Sequence, residues 1–282
     1  MISRASVIER QSLDLVKTSV SAATPESVED QVSNSQVRLA WDRAQRQYWD
    51  GVADKYDCLY QGRWSHMEDA WVALQLSFIA DLTRPNIVDL GCGTGLGWRL
   101  IKPINPYAEY RGIDISPSMA QMAANSGINV TVGSMDDLSF LADSSIDVVI
   151  ALSSSLSFAF EPARVISEVS RVLRPSGHAY LSALSRKALS RLCRSINSPA
   201  QYWTRGDICH DSGAPAHFFN IDEIKRLGYM TGLVALSAKG INALSGVCEV
   251  PFIWSLGRLA TSINRNFAHL LDLHFQKVGG TE

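Results

Sequence analysis

The stretch NIVDLGCGTGLGWRL, residues 86–100, constrains the fold more than any other part of this chain. A short β-branched run ends at Leu90, three glycines follow at Gly91, Gly93 and Gly95, and a helical pattern begins at once. Glycine lets the backbone turn sharply and approach a ligand with no Cβ in the way. Four more short apolar runs follow at residues 112–115, 128–132, 147–151 and 178–184, with helical patterns at 116–124 and 162–173 between them. Pro162 at a first helical turn and the RPSG stop at 174–177 bound the second of these helices. Strands alternating with helices predict βαβ units and a parallel sheet covered on both faces, with ligands at the carboxyl ends of its strands. The fold class is α/β, doubly wound.

The glycine spacing narrows the ligand. A P-loop needs four residues between its glycines and then Gly-Lys-Ser/Thr, but the first lysine after the loop is Lys102. The dinucleotide fingerprint needs glycine where Leu96 or Trp98 stands. What remains is a strand, an aspartate, GxGxG, and a second acid, Asp114, nineteen positions after Gly95. A carboxylate at the end of the second strand accepts hydrogen bonds from ribose hydroxyls. With no pyrophosphate reader before it, the nucleoside ligand that fits is S-adenosylmethionine, whose amino-acid tail replaces the phosphates.

Five blocks in order carry a family resemblance: VDLGCGTG (88–95), GIDISPSM (112–119), VGSMDDLSF (132–140), SIDVVIALSSSLSF (145–158) and VSRVLRPSGHAYLS (169–182). Together they resemble the class I, Rossmann-like S-adenosylmethionine-dependent methyltransferases, in particular the small-molecule branch that includes methyltransferase type 11 and UbiE-like members. The resemblance implies a mostly parallel seven-stranded sheet with helical lid insertions. It implies that Gly91, Cys92 and Gly93 pass the methionine part of the cofactor along their backbone, and that Asp89 orients the loop or holds the amine through water. Asp114 would bind the ribose, with Ile115 and Met119 packed on the adenine. Where the family usually supplies an aspartate for the adenine amino group, this chain has Ser134 and Met135, so Asp136 is the substitute. The backbone of Ala151 and Leu152 would face the methionine amine, and Tyr56 and Tyr60 resemble the tyrosines of the first helix that close over the cofactor carboxylate.

Methyl transfer from an activated sulfonium asks the protein for alignment, exclusion of water and removal of a proton where the acceptor carries one. Aromatic lid candidates are Trp64, Trp71, Tyr202, Trp203, Phe218 and Phe219, a set suited to a planar indole-, phenol- or quinone-like acceptor of secondary metabolism, or to a cationic amine. General-base candidates are His66, Glu68, His210 and His217, the last two within the loop sequence ICHDSGAPAHFFN. His178 starts a strand away from the chemistry, while His269 and His274 read as structural residues of a C-terminal helix. The serines 153–155 lack a GxSxG elbow, and Cys92 needs no explanation beyond small size. No acid and histidine pair stands at ligand spacing, so no metal is expected.

A formal charge of −2 leaves no electrostatic footprint for nucleic acid or an anionic membrane. The five cysteines (58, 92, 193, 209 and 248) are scattered, with no CxxC pair, which fits a reducing, cytoplasmic interior. No apolar run reaches membrane-spanning length, and MISRASVIERQSLDL lacks the apolar core of a secretory signal. Residues 1–35 read as a flexible segment, 36–83 as N-terminal helices forming a lid, 84–184 as the cofactor-binding core, and 185–282 as acceptor lid, remaining strands and C-terminal helix. An apolar stripe from Phe252 through Leu256, Leu259, Ile263 and Phe267 to Leu270 predicts a packing or dimer face, so monomer and homodimer both stay open. The family's seventh strand would be residues 274–278, or the sheet edge is altered. Two other readings share these residues: a binding module or rearrangement enzyme using the same cofactor without methyl transfer, and a nicotinamide-dependent oxidoreductase, which the glycine spacing disfavours.

Overall fold

Strands of this kind need partners on both sides, and they find them in a single seven-stranded sheet. The structure is a computed structural model that describes residues 28–189, 214–244 and 251–279. In chain order the strands are β1 (Asn86–Leu90), β2 (Glu109–Asp114), β3 (Asn129–Val132), β4 (Ile146–Ala151), β5 (Leu173–Leu184), β6 (Leu233–Gly240) and β7 (Leu270–Lys277). They lie in the order β3-β2-β1-β4-β5-β7-β6, the first five parallel and β7 antiparallel to both β5 and β6. This is the doubly wound arrangement expected, and the seventh strand is present.

The period of two along each strand divides the core. Val88, Leu90, Val149 and Ala151 face one layer with Val165, Ile166 and Val169, while Ile87, Val148 and Ile150 face the other with Leu76, Ile79 and Ile101. All of these are buried, which is why β1 and β4 read as unbroken apolar runs. Helices α1 (Val28–Leu59), α2 (Arg63–Gln75), α3 (Leu96–Ile101), α4 (Pro117–Asn125), α5 (Pro162–Val172), α6 (Ile221–Met230) and α7 (Pro251–Ile263) complete the layers. Local chemistry sets their ends. The Ser116 hydroxyl accepts from the Met119 N–H at 3.1 Å with Pro117 as first helical residue, and Glu223 reaches back to accept from the Asn220 N–H at 2.8 Å.

Several boundaries differ from the sequence reading. Helix α1 begins at Val28, inside the stretch read as flexible, and its later turns dock on the start of α4 and on the glycine loop. Within the stretch 36–83 read as helices, α2 gives way at Leu76 to a 3-10 turn (Leu76–Asp81) that buries Leu76 and Ile79. Helix α5 ends at Val172, beside the RPSG stop as read, but β5 begins at Leu173, five residues before the apolar run at 178–184. The C-terminal stripe is not one helical face: α7 ends at Ile263, Phe267 lies in a 3-10 turn, and Leu270 begins β7. His269 therefore sits just before a strand and His274 within it, where it stacks on Phe78 with ring centroids 4.4 Å apart. No helix among the described residues is long and apolar enough to cross a membrane.

Candidate functional site

The glycine loop is held open from below. The Gly91 and Cys92 N–H groups both donate to the Ile113 carbonyl, at 2.8 and 3.1 Å, turning the chain off the end of β1. Gly91 and Gly93 have φ of +69° and +54°, and a Cβ on Gly91 would stand 2.8 Å from the Ser155 hydroxyl. The Gly93 N–H donates to Asp114 Oδ2 at 2.8 Å and the Ser116 N–H to Oδ1 at 2.9 Å, so one carboxylate ties the loop to the start of α4. Burial raises the Asp114 pKa, opposed by these backbone donors.

Asp89 is more constrained. It is 1% exposed; Tyr110 donates its hydroxyl to Oδ2, and Oδ1 is buried with no hydrogen-bond partner among the described residues. Burial pushes its pKa up to about 7, against the Tyr110 hydrogen bond and with Asp114 adding repulsion. Both acids line a cleft at the carboxyl ends of β1, β2 and β4, together with Asp42 and Asp136. No lysine or arginine occurs among its described lining residues. Arg38 reaches Asp42 at 4.0 Å and Asp136 at 3.7 Å from outside the lining, which leaves Asp89 and Asp114 as the carboxylates that suit a ligand carrying positive charge and disfavour a pyrophosphate. S-adenosylmethionine has an ammonium and a sulfonium, and the buried, unpartnered Asp89 oxygen is an acceptor of the kind such a group needs. The residues present fit that cofactor.

Of the other residues carried over, Gly91, Cys92, Gly93, Ile115, Met119, Ser134, Met135 and Leu152 line this cleft, as does Tyr56. Ala151 does not: it packs into the sheet core, and the lining passes to Leu152, Ser153 and Ser155. Ser153 and Ser154 take φ of +49° and +67° to make that turn. Asp136 lines the cleft, but its oxygens are engaged: they accept from the Phe160 and Glu161 N–H groups at 3.2 and 3.1 Å and from the Ser134 hydroxyl at 3.0 Å. It braces the chain entering α5, which leaves little capacity for an adenine.

Helix α1 roofs the cleft with Asp42, Gln45, Trp49 and Tyr56. Two carboxylates on it, seven residues apart, pin it down. Asp50 accepts from the Ser116 hydroxyl at 2.5 Å and the Ser118 N–H at 3.0 Å; Asp57 accepts from the Thr94 hydroxyl at 2.6 Å and Arg99 at 3.3 Å. None of Asp42, Gln45, Trp49, Asp50, Asp57 or Thr94 stood out in the sequence. The available signal was the row of polar residues at helical spacing beside the apolar face of α1.

A second cavity of about 580 Å³ adjoins the first, and Trp49, Tyr56, Leu96, Leu152, Ser153 and Phe158 line both. Its size is that of a small-molecule site. His66, Glu68 and Phe218 line it, along with Tyr180, Ser182, His269 and Asp272, which the sequence reading missed; Tyr60, expected to close over the cofactor carboxylate, lines this cavity and not the cofactor cleft. The remaining candidates are elsewhere. Trp64 is buried against Trp254 at 4.9 Å; Trp71 packs under the Arg258 guanidinium at 4.1 Å; Phe219 joins the sheet core. His217 stacks on Trp41 at 4.9 Å, with Nε2 3.2 Å from the Phe160 carbonyl oxygen. Tyr202, Trp203 and His210 lie outside the described residues.

Comparisons with known proteins agree with this geometry. Residues 88–181 match the family model described as "Methyltransferase domain". A demethylmenaquinone methyltransferase from Thermotoga maritima is 29% identical over 152 residues, covering 53% of this chain and 66% of that protein. Across the first relatives of this kind the chain spans between 44% and 66% of their length. Among solved structures, a chain of the complex formed by the Haloferax volcanii Trm112 methyltransferase activator shares the fold with a TM-score of 0.56 at 21% identity, over 82% of this chain and 99% of that one. The [4+2]-cyclase SpnF shares it with a TM-score of 0.53 at 15% identity, over 88% and 97%. By its matched segment, its strand order and its glycine loop, this chain is similar to the class I S-adenosylmethionine-dependent methyltransferases over residues 88–181 and shares their fold.

Proposed function

We propose that the chain transfers the methyl group of S-adenosylmethionine to a small planar acceptor held in the outer cavity. The observation that carries this reading is the pairing of an acid-lined cleft with an aromatic cavity through six shared wall residues. When bound, the cofactor supplies a methyl group already activated on sulfur. The chain's own part is to hold and to exclude. The backbone at Gly91 and Gly93 leaves room for the amino-acid tail, Asp89 Oδ1 receives a donor from it, and Asp114 holds the ribose hydroxyls. Helix α1, pinned by Asp50 and Asp57, keeps water from the junction, where low polarity favours a step in which charge on sulfur is lost.

In the outer cavity Tyr48, Trp49, Tyr60 and Phe218 offer flat apolar walls, which suit an indole-, phenol- or quinone-like ring. The demethylmenaquinone named for one relative is a ring of this class and supports the reading. We assign the acceptor to secondary metabolism and the enzyme to the cytoplasm, in keeping with the free thiols of Cys58 and Cys92. Of the proton acceptors that line that cavity, His66 and Glu68 are the ones we assign to general-base work.

The cyclase with the same fold favours one second reading, cofactor binding without methyl transfer. Two measurements separate the possibilities. Calorimetry with S-adenosylhomocysteine and with NAD is expected to give binding of the first and none of the second. Incubation with methyl-labelled cofactor and a panel of arylamines, phenols and hydroquinones is expected to give a labelled product. Binding with no label transferred to any acceptor class would favour the second reading, and preference for NAD would remove both.

A further inference from the structure

Antiparallel pairing of β5 with β7 sets Ser182 opposite Asp272 and Tyr180 opposite His274, so these side chains share one face of the sheet. The opposite face of β7 carries Leu271, Leu273 and Phe275 into the core. Asp272 is thus a carboxylate that the register of two strands forces toward the outer cavity, which it lines together with Tyr180 and Ser182. It is 2% exposed, and its two oxygens are served unequally. Oδ2 accepts from the Tyr180 hydroxyl at 2.8 Å, whereas Oδ1 is buried with no hydrogen-bond partner among the described residues. A buried carboxylate oxygen left without a donor is costly, and within a binding cavity the donor it lacks is one that a ligand can bring.

The cavity's charge decides which donor. Glu68, Asp69, Asp57 and Asp272 line it, against Arg99, which is held 3.3 Å from Asp57, and the imidazoles of His66 and His269; Lys239, opposite Asp272 on β6, adds a positive charge from outside the lining, its ammonium donating to Gln75 at 2.5 Å. His269 Nδ1 stands 3.9 Å from Glu68, so that imidazole is drawn toward an acid. Such a wall repels a carboxylate or phosphate and gives a neutral hydroxyl no Coulomb advantage. An amine gains the charge-assisted bond, and the tyrosine faces beside it add cation–π attraction. The site also lies next to the cofactor cleft: the Ser154 N–H donates to the Ser182 hydroxyl at 3.1 Å, and the preceding Ser153 lines both cavities.

We propose that Asp272 is the acceptor-binding carboxylate of this chain and that the acceptor is an arylalkylamine, its ammonium on Asp272 Oδ1 and its ring against the aromatic wall; Asp272 takes the ammonium proton, which frees the nitrogen lone pair to form the N–C bond as the donor's C–S bond breaks and its electron pair stays on sulfur. This rests on the methyltransferase reading and narrows its acceptor class. Burial pushes the Asp272 pKa up to about 6, opposed by the Tyr180 hydrogen bond, by the neighbouring Ser182 hydroxyl, which has no hydrogen-bond geometry to Oδ1, and by the Lys239 charge, with Glu68 adding repulsion, so the anion prevails at neutral pH.

The test uses the full chain saturated with S-adenosylhomocysteine and titrated calorimetrically, slightly above neutral pH, with tryptamine and phenethylamine and with the isosteric alcohols tryptophol and 2-phenylethanol. Wild type is expected to bind the amines at least about tenfold more tightly than the alcohols. Asp272→Asn is expected to lose about tenfold for the amines and to leave the alcohols and S-adenosylhomocysteine unchanged. Equal binding of amines and alcohols by wild type overturns the proposal without any variant, as does absence of amine binding, or an Asn variant that holds amines as before. In each of those cases retained S-adenosylhomocysteine binding leaves the methyltransferase reading standing, whereas its loss from wild type removes that reading first.

Discussion

Replacing Asp89 with asparagine separates the fold's needs from the site's. Asp89 is buried, and its pKa is raised from 3.8 to about 7, so the folded chain binds a proton more tightly there than the unfolded chain does. Stability from this group is therefore greatest at acid pH, falls as pH rises from about 4, and levels off above about 7. The fall is about 1.36 kcal/mol for each pH unit over which the folded chain keeps a proton that the unfolded chain has released. Between pH 5 and pH 8 the wild type is expected to lose about 3 kcal/mol from Asp89 alone. Asparagine keeps an oxygen for the Tyr110 hydroxyl and has no charge to bury. Whatever constant cost its amide brings, the stability difference between the two proteins moves in the variant's favour over that pH interval. For a domain of this size the movement corresponds to roughly 5–10 °C in melting temperature. Melting the ligand-free wild type and Asp89→Asn at pH 5 and pH 8 reads it directly. At pH 8 the variant should also bind S-adenosylhomocysteine about tenfold or more weakly, because a charged acceptor is gone. A melting difference that does not change with pH, or one that moves in the wild type's favour, refutes the assignment of Asp89 as a charge held at the fold's expense.

Asp114→Asn leaves one acceptor oxygen where the Gly93 and Ser116 N–H groups need two, so about 1–2 kcal/mol of stability goes, and S-adenosylhomocysteine affinity drops at least about tenfold in calorimetry. Unchanged affinity would misplace the ribose. Asp136→Ala strips acceptors from the buried approach to α5, and denaturant melts should show a loss of about 2–4 kcal/mol with a smaller affinity change than at Asp114. An unperturbed fold with abolished cofactor binding would return Asp136 to the adenine. Gly112→Ala places a Cβ 2.5 Å from Cys92 Sγ beneath the glycine loop; overpacking of about 1–3 kcal/mol should appear in denaturant melts, and neutrality there would contradict the packing described.

The parts legible in the sequence are those whose geometry is local. Gly91, Gly93 and Asp114 lie within one βαβ unit, so spacing alone places them together. Asp50 and Asp57 belong to a helix far upstream of the residues they bind, and nothing in the local pattern says that α1 crosses the strand ends. Asp272 was hidden for a related reason. The run LLDLHFQK fits both a helical stripe and an alternating strand, and only pairing with β5 turns Leu271, Leu273 and Phe275 inward and Asp272 toward the cavity. His217 and Trp71 carry chemistry suited to a site, yet long-range packing gives His217 to Trp41 and Trp71 to Arg258.

The central claim, that an acid-lined cleft grips the adenosyl donor with its sulfur facing the aromatic cavity, is tested most directly by a crystal structure with S-adenosylhomocysteine. The account predicts the ribose hydroxyls on Asp114, the ammonium within reach of Asp89, and the sulfur at the wall shared by Trp49, Tyr56, Leu152 and Phe158. A donor bound outside this cleft, or one whose sulfur is sealed from the outer cavity, would contradict it.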